Sequence, residues 1–275
     1  MHRKLLLPLP SIHLAIQKKG SFMFFARSKS LTALLILSVM PCAALAQNTT
    51  IGVGLGFLPK YEGSNQYGTR FSPLLKHRNG HFFLSPRSGM PAAGVQTELT
   101  ENWTIGSFVS LSQARKSGDS ARLHGMHDIS RHGNLGVFTA LQLGDVVLDA
   151  SYYQALKSGY GSNFTADISY KLWQEGASQL RVGTELKWSN KKAMQTYFGV
   201  EPNEAAASNG NLHTYQASAG MRSYSVYGLA THQLSDSWHV HGLVGVNNLT
   251  SDAKNSPIVE KKSSVFGGLG LGYSF

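Results

Sequence analysis

From residue 47 to the carboxy-terminus the side chains alternate between two unlike environments. Ile51, Val53, Leu55 and Phe57 are interleaved with Thr50, Gly52, Gly54 and Gly56. Phe164, Ala166, Ile168 and Tyr170 are interleaved with Thr165, Asp167, Ser169 and Lys171, and Leu180, Val182, Leu186 and Trp188 oppose Arg181, Gly183, Glu185 and Lys187. A period of two marks strands with two different faces, because successive side chains on a strand point to opposite sides. The segments run about ten residues or more, the length a tilted strand needs to cross a hydrocarbon layer. Twelve strands are predicted, at 49–58, 67–77, 80–86, 91–99, 102–113, 133–143, 146–157, 162–173, 179–189, 215–234, 237–248 and 263–275.

The connections carry a second pattern. Those after strands 2, 4, 6, 8 and 10 are tight, with turn residues such as Asn79-Gly80 and Gly144-Asp145, whereas residues 59–66, 114–132, 190–214 and 249–262 form long loops after strands 1, 5, 9 and 11. Short turns at one end and long loops at the other describe an up-and-down outer-membrane barrel. A soluble sandwich has no reason to keep that parity. Only the short connections after strands 3 and 7 depart from it. The predicted fold is therefore an all-β, antiparallel, up-and-down transmembrane β-barrel of twelve strands.

The chain closes on Val265, Leu269, Leu271, Tyr273 and Phe275, with the small residues Gly268, Gly270, Gly272 and Ser274 between them. In lipid every backbone polar group must be satisfied internally, so the last strand has to pair with the first and turn those apolar residues outward.

Composition agrees with a membrane barrel. Charged residues make up 15 %, there are 29 glycines, and no run of 18 apolar residues follows residue 46 to serve as a membrane helix. The formal charge of +10 overstates the basic character of the fold. Six of the 25 basic residues (Arg3, Lys4, Lys18, Lys19, Arg27 and Lys29) precede residue 47, leaving 19 against 15 acidic residues. No basic stripe or basic-aromatic module remains, so no nucleic-acid partner is expected.

Residues 23–46 read as an export signal. Arg27 and Lys29 form its charged end, Leu31–Met40 its apolar stretch, and Ala44–Ala46 a small-residue cleavage site, so the barrel domain is expected to begin at Gln47. Residues 1–22 precede a good start at Met23 and read as a mis-called extension. The single cysteine, Cys42, falls inside the signal, so the exported chain is expected to have neither disulfide nor cysteine metal site.

Three loop motifs, "LPKYEGSNQYG" from Leu58, "AMQTYFGVEPNEA" from Ala193 and "DAKNSPIVEKKSS" from Asp252, resemble the MipA/OmpV family of Gram-negative outer-membrane proteins. Tyr61, Gly63, Ser64, then Tyr197, Phe198, Gly199, Val200, then Ser256 and Pro257 carry the likeness, in order and in register. The stretch "AAASNGNLHTY" from Ala205 is longer than the family's usual step, and loop 114–132 carries no family motif. The ending on Leu271, Tyr273 and Phe275 resembles the signal read by the barrel insertion machinery.

The resemblance implies an outer-membrane barrel facing lipid. It also implies a role seen among family members: a scaffold joining a murein transglycosylase to a murein synthase, a porin-like protein, or an adhesin. If both termini are periplasmic, the motif loops converge at the outer rim. Gly63 then permits a turn, Pro257 stiffens one, and Tyr197 and Phe198 either plug the mouth or sit in the interface belt.

Other chemistry is less well supported. His124, His127, Asp128 and His132 have spacings of three and five that suit zinc or copper, but surface loops rich in His are common and no cysteine or second carboxylate is near. No metal or other cofactor is expected. Asp149, Asp167, Lys171, Arg181, Glu185, Lys187, His239 and His241 alternate onto the inward face, yet no Ser–His or paired-Asp motif stands at a strand end, so a non-catalytic role is expected. Twelve strands lie between a filled barrel and an aqueous channel. Inward glycines (Gly52, Gly54, Gly183, Gly268 and Gly270) would leave local space, making a narrow channel for small solutes the alternative. An adhesin using loops 114–132 and 190–214 is a third reading.

Overall fold

A computed structural model describes residues 49–275, so the expected export signal, the cleavage at Gln47 and the extension 1–22 lie outside the described residues. The strands are β1 (Thr49–Pro59), β2 (Tyr67–Asn79), β3 (Phe82–Leu84), β4 (Ala92–Thr100), β5 (Trp103–Ser112), β6 (His132–Leu143), β7 (Val146–Ala155), β8 (Ser162–Glu175), β9 (Ser178–Ser189), β10 (Gly220–Gln233), β11 (Trp238–Leu249) and β12 (Ser263–Ser274). Each pairs antiparallel with its neighbour in sequence, and β1 pairs with β12 to close the barrel. The closing register runs from Thr50 opposite Ser274 to Phe57 opposite Gly267. The strand that finishes on Phe275 thus supplies the hydrogen-bond partners that β1 would otherwise lack.

The alternation sorts as the period predicts. Leu269 is 73 % exposed, Phe71 67 % and Val244 61 %, values that make sense only if the outside of the barrel is lipid. Aromatics gather in two belts on that outer surface. Phe57, Tyr152, Phe164, Trp188 and Tyr224 ring the loop end, and Trp103, Trp173, Trp238 and Phe275 ring the turn end, where interfacial aromatics sit. Among the described residues no helix is long and apolar enough to span a membrane. Because long loops face outward in such barrels, the loop end is the outer end and the turn end the periplasmic one.

The lumen is filled more than its glycines suggest. A Cβ on Gly183 would lie 2.5 Å from the Tyr227 ring, and one on Gly106 would lie 2.5 Å from Phe138, so neighbouring aromatics occupy the space those glycines leave. Expected room at Gly183 is therefore absent, while Gly54 meets nothing nearer than 3.5 Å. Phe83, Phe108, Phe138, Tyr153 and Ala92 form a cluster against one inner wall.

Two strands differ from the sequence reading. β3 keeps only Phe82–Leu84, rather than 80–86, because Pro86 and Pro91 end the ladder and residues 85–91 fold into the lumen. There Arg87 Nη1 pairs with Asp149 Oδ2 at 2.7 Å and its guanidinium lies 3.4 Å from the Phe138 ring centre, while Ser88 meets Thr165 at 2.9 Å. β10 starts at Gly220 rather than 215, since the residues before it belong to the outer loops. Its pairing with β9 skips Arg222, a bulge that turns Arg222 and Ser223 inward together; both are buried.

Placing a charge on the lipid side tests the assignment of faces. Leu269→Arg is expected to destabilise the folded barrel by about 2–4 kcal/mol, because Leu269 sits mid-strand on β12 where hydrocarbon is deepest. Urea unfolding in lipid vesicles reads this directly; a negligible change would mean that Leu269 faces water.

Candidate functional site: the lid and the cavity beneath it

The outer loops pack into one lid. They contain three short helices, α1 (Lys191–Phe198), α2 (Pro202–Ala207) and α3 (Ser251–Asn255). The helix α1 begins where Asn190 Oδ1 accepts from Ala193 N at 2.9 Å, and α2 begins at Pro202 with Glu201 and Glu204 capping reciprocally. Two apolar clusters fuse the loops. One joins Tyr61, Leu123, Met126, Val200, Leu212 and Ile258, and the other Met194, Phe198, Ala217, Leu249 and Ala253. Phe198, Leu123, Met194, Val200 and Ile258 are all at most 1 % exposed. A third, smaller group of Ile129, Ala155 and Tyr160 ties in the loop after β7.

The motif residues are the joints of this lid. The Tyr61 hydroxyl is shared between the Ile258 carbonyl at 2.8 Å and Glu260 Oε2 at 3.1 Å. Burial, reinforced by Glu260, holds the Tyr61 phenol above its ordinary pKa, so it stays a donor. Gly63, at φ +95°, accepts from the Glu260 and Lys261 N–H groups at 2.8 and 2.9 Å, and a Cβ there would strike Val259 at 2.6 Å. Ser64 is fully buried, with its N–H on the Tyr61 carbonyl at 3.0 Å and its Oγ accepting from Gln66 N at 3.0 Å.

The second and third motifs meet it from the other side. Ser256 Oγ donates to the Phe198 carbonyl at 2.5 Å, and the Pro257 carbonyl accepts from Arg122 Nε at 2.8 Å. Gly199 N–H closes α1 onto Gln195, and Val200 exchanges two 2.9 Å bonds with Tyr215. Tyr197 offers its carbonyl to Arg115 Nη1 at 2.7 Å and its ring to Arg222, 4.4 Å away. Tyr197 and Phe198 therefore plug the mouth; the interface belt is made by other aromatics. The unusual stretch from Ala205 contributes Leu212 to the core and is held by Ser208 Oγ, which accepts from Leu212 N at 2.9 Å.

The four residues considered for a metal point to different partners. His127 Nδ1 meets Glu204 Oε1, Asp128 Oδ1 accepts from Ser117 N at 2.7 Å, and His132 Nδ1 meets the Ser130 carbonyl at 2.9 Å beside the Tyr160 ring, while His124 follows a 3-10 turn. Among the described residues no group of three or more His, Cys, Asp or Glu is gathered as metal ligands would be.

Beneath the lid lies a cavity of about 420 Å³, roofed by Tyr61, Tyr197 and Phe198, and floored by Ser88, Gly89 and Met90. Ser85 and Arg87 of the same inward loop line a second cavity of about 550 Å³ at the turn end, together with Lys76, His77, Arg78 and Phe275. Loop 85–91 is thus the partition between an inner vestibule and a covered chamber. Sequence reasoning missed the chamber because its charged lining comes from separated segments: Glu62 and Arg115 from loops, Arg70, Glu185, Lys187 and Arg222 from strands. The signal that could have drawn attention to Arg222 is an alternation that breaks within "GMRSYSV".

Glu62 is the hinge of the chamber's electrostatics. Arg222 donates to Glu62 Oε2 through Nε at 2.6 Å and through Nη2 at 2.5 Å. Burial alone would raise the pKa of Glu62, but Arg222 and then Lys187 outweigh it and hold the carboxyl below its ordinary value.

The His127–Glu204 contact makes the lid pH-sensitive. Its hydrogen bond with Glu204 raises the His127 pKa. Burial acts to raise that of Glu204, yet hydrogen bonds from His127 and from the Glu201 N–H leave it lowered. A raised histidine stabilises below its ordinary pKa and loses that contribution as pH climbs through the raised value. A lowered carboxyl stabilises above its ordinary pKa and loses it as pH falls through the lowered value. The latch is therefore tightest in the window between them. A nitroxide label at Ala206→Cys is expected to become more mobile as pH rises from about 6 to about 8, and Glu204→Gln is expected to flatten that response. A line shape that does not change with pH would refute the latch.

A family model described as MltA-interacting protein MipA matches residues 51–275. The outer membrane protein Omp26La of Vibrio anguillarum is 25 % identical over 173 residues, covering 62 % of this chain and 65 % of that relative. The match thus spans less than two thirds of the relative's length. Among solved structures, a KdgM porin is similar with a TM-score of 0.46 and 13 % identity, covering 82 % of this chain and 99 % of that one. A NanC porin is similar with a TM-score of 0.45 and 11 % identity, covering 82 % and 100 %.

Proposed function

Because this chain belongs to the MltA-interacting protein MipA family, we propose that it is a non-conducting, non-catalytic outer-membrane barrel that serves as an envelope scaffold, working with the murein-synthesis machinery on its periplasmic side. One observation carries the non-conducting part: loops from five of the six outer connections share a buried core across the mouth. A solute path along the axis would have to separate Tyr61 from Ile258 and Phe198 from Ser256, breaking buried hydrogen bonds as well as apolar contacts. The inward loop 85–91 adds a second obstruction, pinned by Arg87–Asp149. These features weigh against a narrow porin. The murein enzymes enter by family membership alone, and the turn-end rim they would have to touch is small, built from residues 80–81, 101–102, 144–145, 176–177 and 234–237.

Two measurements test the two halves separately. In planar bilayers the purified barrel is expected to stay electrically silent; a reproducible ohmic step from the unaltered protein would sink the non-conducting reading. Crosslinking in intact cells through photoreactive residues at Asp145 and Asp236 is expected to capture a murein transglycosylase or synthase. Capture of surface ligands alone, through the lid, would replace the scaffold with an adhesin, and capture of nothing would remove the scaffold reading altogether.

A further inference from the structure

The chamber under the lid holds more positive than negative charge. Lys60, Arg70, Arg115, Lys187 and Arg222 line it, against the carboxylates of Glu62 and Glu185. Their pairing is uneven. Arg222 is taken up by Glu62 through two donors. Lys187 Nζ stands 3.9 Å from Glu62 and 4.0 Å from Glu185, attracted by both but too far for a hydrogen bond to either. The other three cations donate only to neutral oxygens: Lys60 to Gln66 Oε1 at 2.9 Å, Arg70 to Gln113 Oε1 and to the Lys60 carbonyl, and Arg115 to the Tyr197 carbonyl. Arg115 is 7 % exposed and its Nη2 has no hydrogen-bond partner. Glu204, whose charge also acts on Arg115, is itself engaged by His127 and by two backbone N–H groups.

An uncompensated excess of positive charge is more consequential here than on a surface. Lipid surrounds the wall and the lid covers the end, so the field is weakly screened and concentrates in the open volume. The rest of the lining mixes apolar and aromatic side chains, Leu58, Met90, Tyr153, Phe198 and Phe266 among them, with neutral polar ones such as Gln113, Asn163 and Asn247. At about 420 Å³ the chamber falls within the size of small-molecule sites, which pair a mostly apolar wall with a few placed polar groups. We propose that this chamber binds a small organic anion: a carboxylate carried on a compact apolar or aromatic body, with the acid group met by Lys187 and Arg115 and the body held against Tyr153 and Phe266.

This proposal does not depend on the scaffold reading, and its test leaves the partners untouched. Benzoate serves as the probe and benzamide, of nearly the same shape but neutral, as its control, titrated calorimetrically into the full barrel in detergent. Benzoate is expected to bind saturably, one per barrel, and about tenfold or more tighter than benzamide. Added salt should weaken benzoate and leave benzamide unaffected. Lys187→Met is expected to lose about tenfold in benzoate affinity. Glu62→Gln should gain affinity, because it frees Arg222 and removes a competing negative charge; a gain cannot be mistaken for misfolding. Equal binding of benzoate and benzamide, no saturable benzoate binding, or a Glu62→Gln barrel that folds but binds benzoate no better would each overturn the proposal. If both variants fail to fold, the benzoate–benzamide difference and its salt dependence in the unaltered protein decide alone.

Discussion

The hydrogen bonds between β1 and β12 are the constraint from which the other features follow. Lipid offers no partner for a backbone N–H or C=O, so the sheet has to close or not span at all. Closure fixes the register of Thr50 on Ser274, and with it which side of every strand meets hydrocarbon. Once Leu55 and Leu269 point out, Gly54, Gly56, Gly268 and Gly270 point in, and the lumen near the seam has little side-chain volume of its own. Elsewhere Phe138, Tyr227 and Phe266 lean over the glycines of neighbouring strands and fill what they leave.

A closed wall still leaves two open ends, and the chain treats them differently. At the turn end the connections are too short to cover anything. At the outer end the loops must either remain solvated or find one another. They find one another through apolar contacts that no single loop could bury: Leu123 comes from one connection, Val200 from another and Ile258 from a third. The polar joints are mostly side chain to backbone. Tyr61 on Ile258, Ser256 on Phe198 and Arg122 on Pro257 each satisfy a carbonyl that irregular structure would otherwise leave without a partner in a buried place. This explains why the motif residues include so many small and hydroxyl-bearing types.

Most of the wall was legible in the sequence, and the lid was legible only as a pattern. Strands β5 to β7, β9 and β11 follow directly from period two, because each face meets a single environment. β8 does so as far as Lys171, beyond which a bulge leaves Leu172 and Trp173 both exposed. β3 resisted because its residues serve two purposes: Phe82 to Leu84 pair in the sheet, while Pro86 to Met90 turn inward to partition the lumen. The loop motifs placed Tyr197 and Phe198 at one end of the barrel, as a plug or in the interface belt, but gave no sign of α1, α2 and α3. Helices of five to eight residues carry too little periodicity to be read, and here they are held by Asn190 and by packing against other loops. Arg222 was the least legible feature, since a bulge adds one residue and reverses the face of whatever follows.

Arg222 also links wall, lid and chamber. Had β10 kept strict alternation, only one of Arg222 and Ser223 could face the lumen and the other would meet lipid. The bulge instead lets a guanidinium lie against the Tyr197 and Phe198 rings and grip Glu62, so one side chain on the wall supports two of the three motif loops. A buried ion pair is weak evidence of net stabilisation, because desolvation offsets much of the attraction. Its geometry is the more informative part. Holding Arg222 against the lid brings Glu62 with it, and Glu62 is the only lid carboxylate on the chamber lining among the described residues. The lid is therefore secured by placing its one chamber-facing carboxylate where it neutralises Arg222 rather than Arg115, and the chamber it covers is left positive.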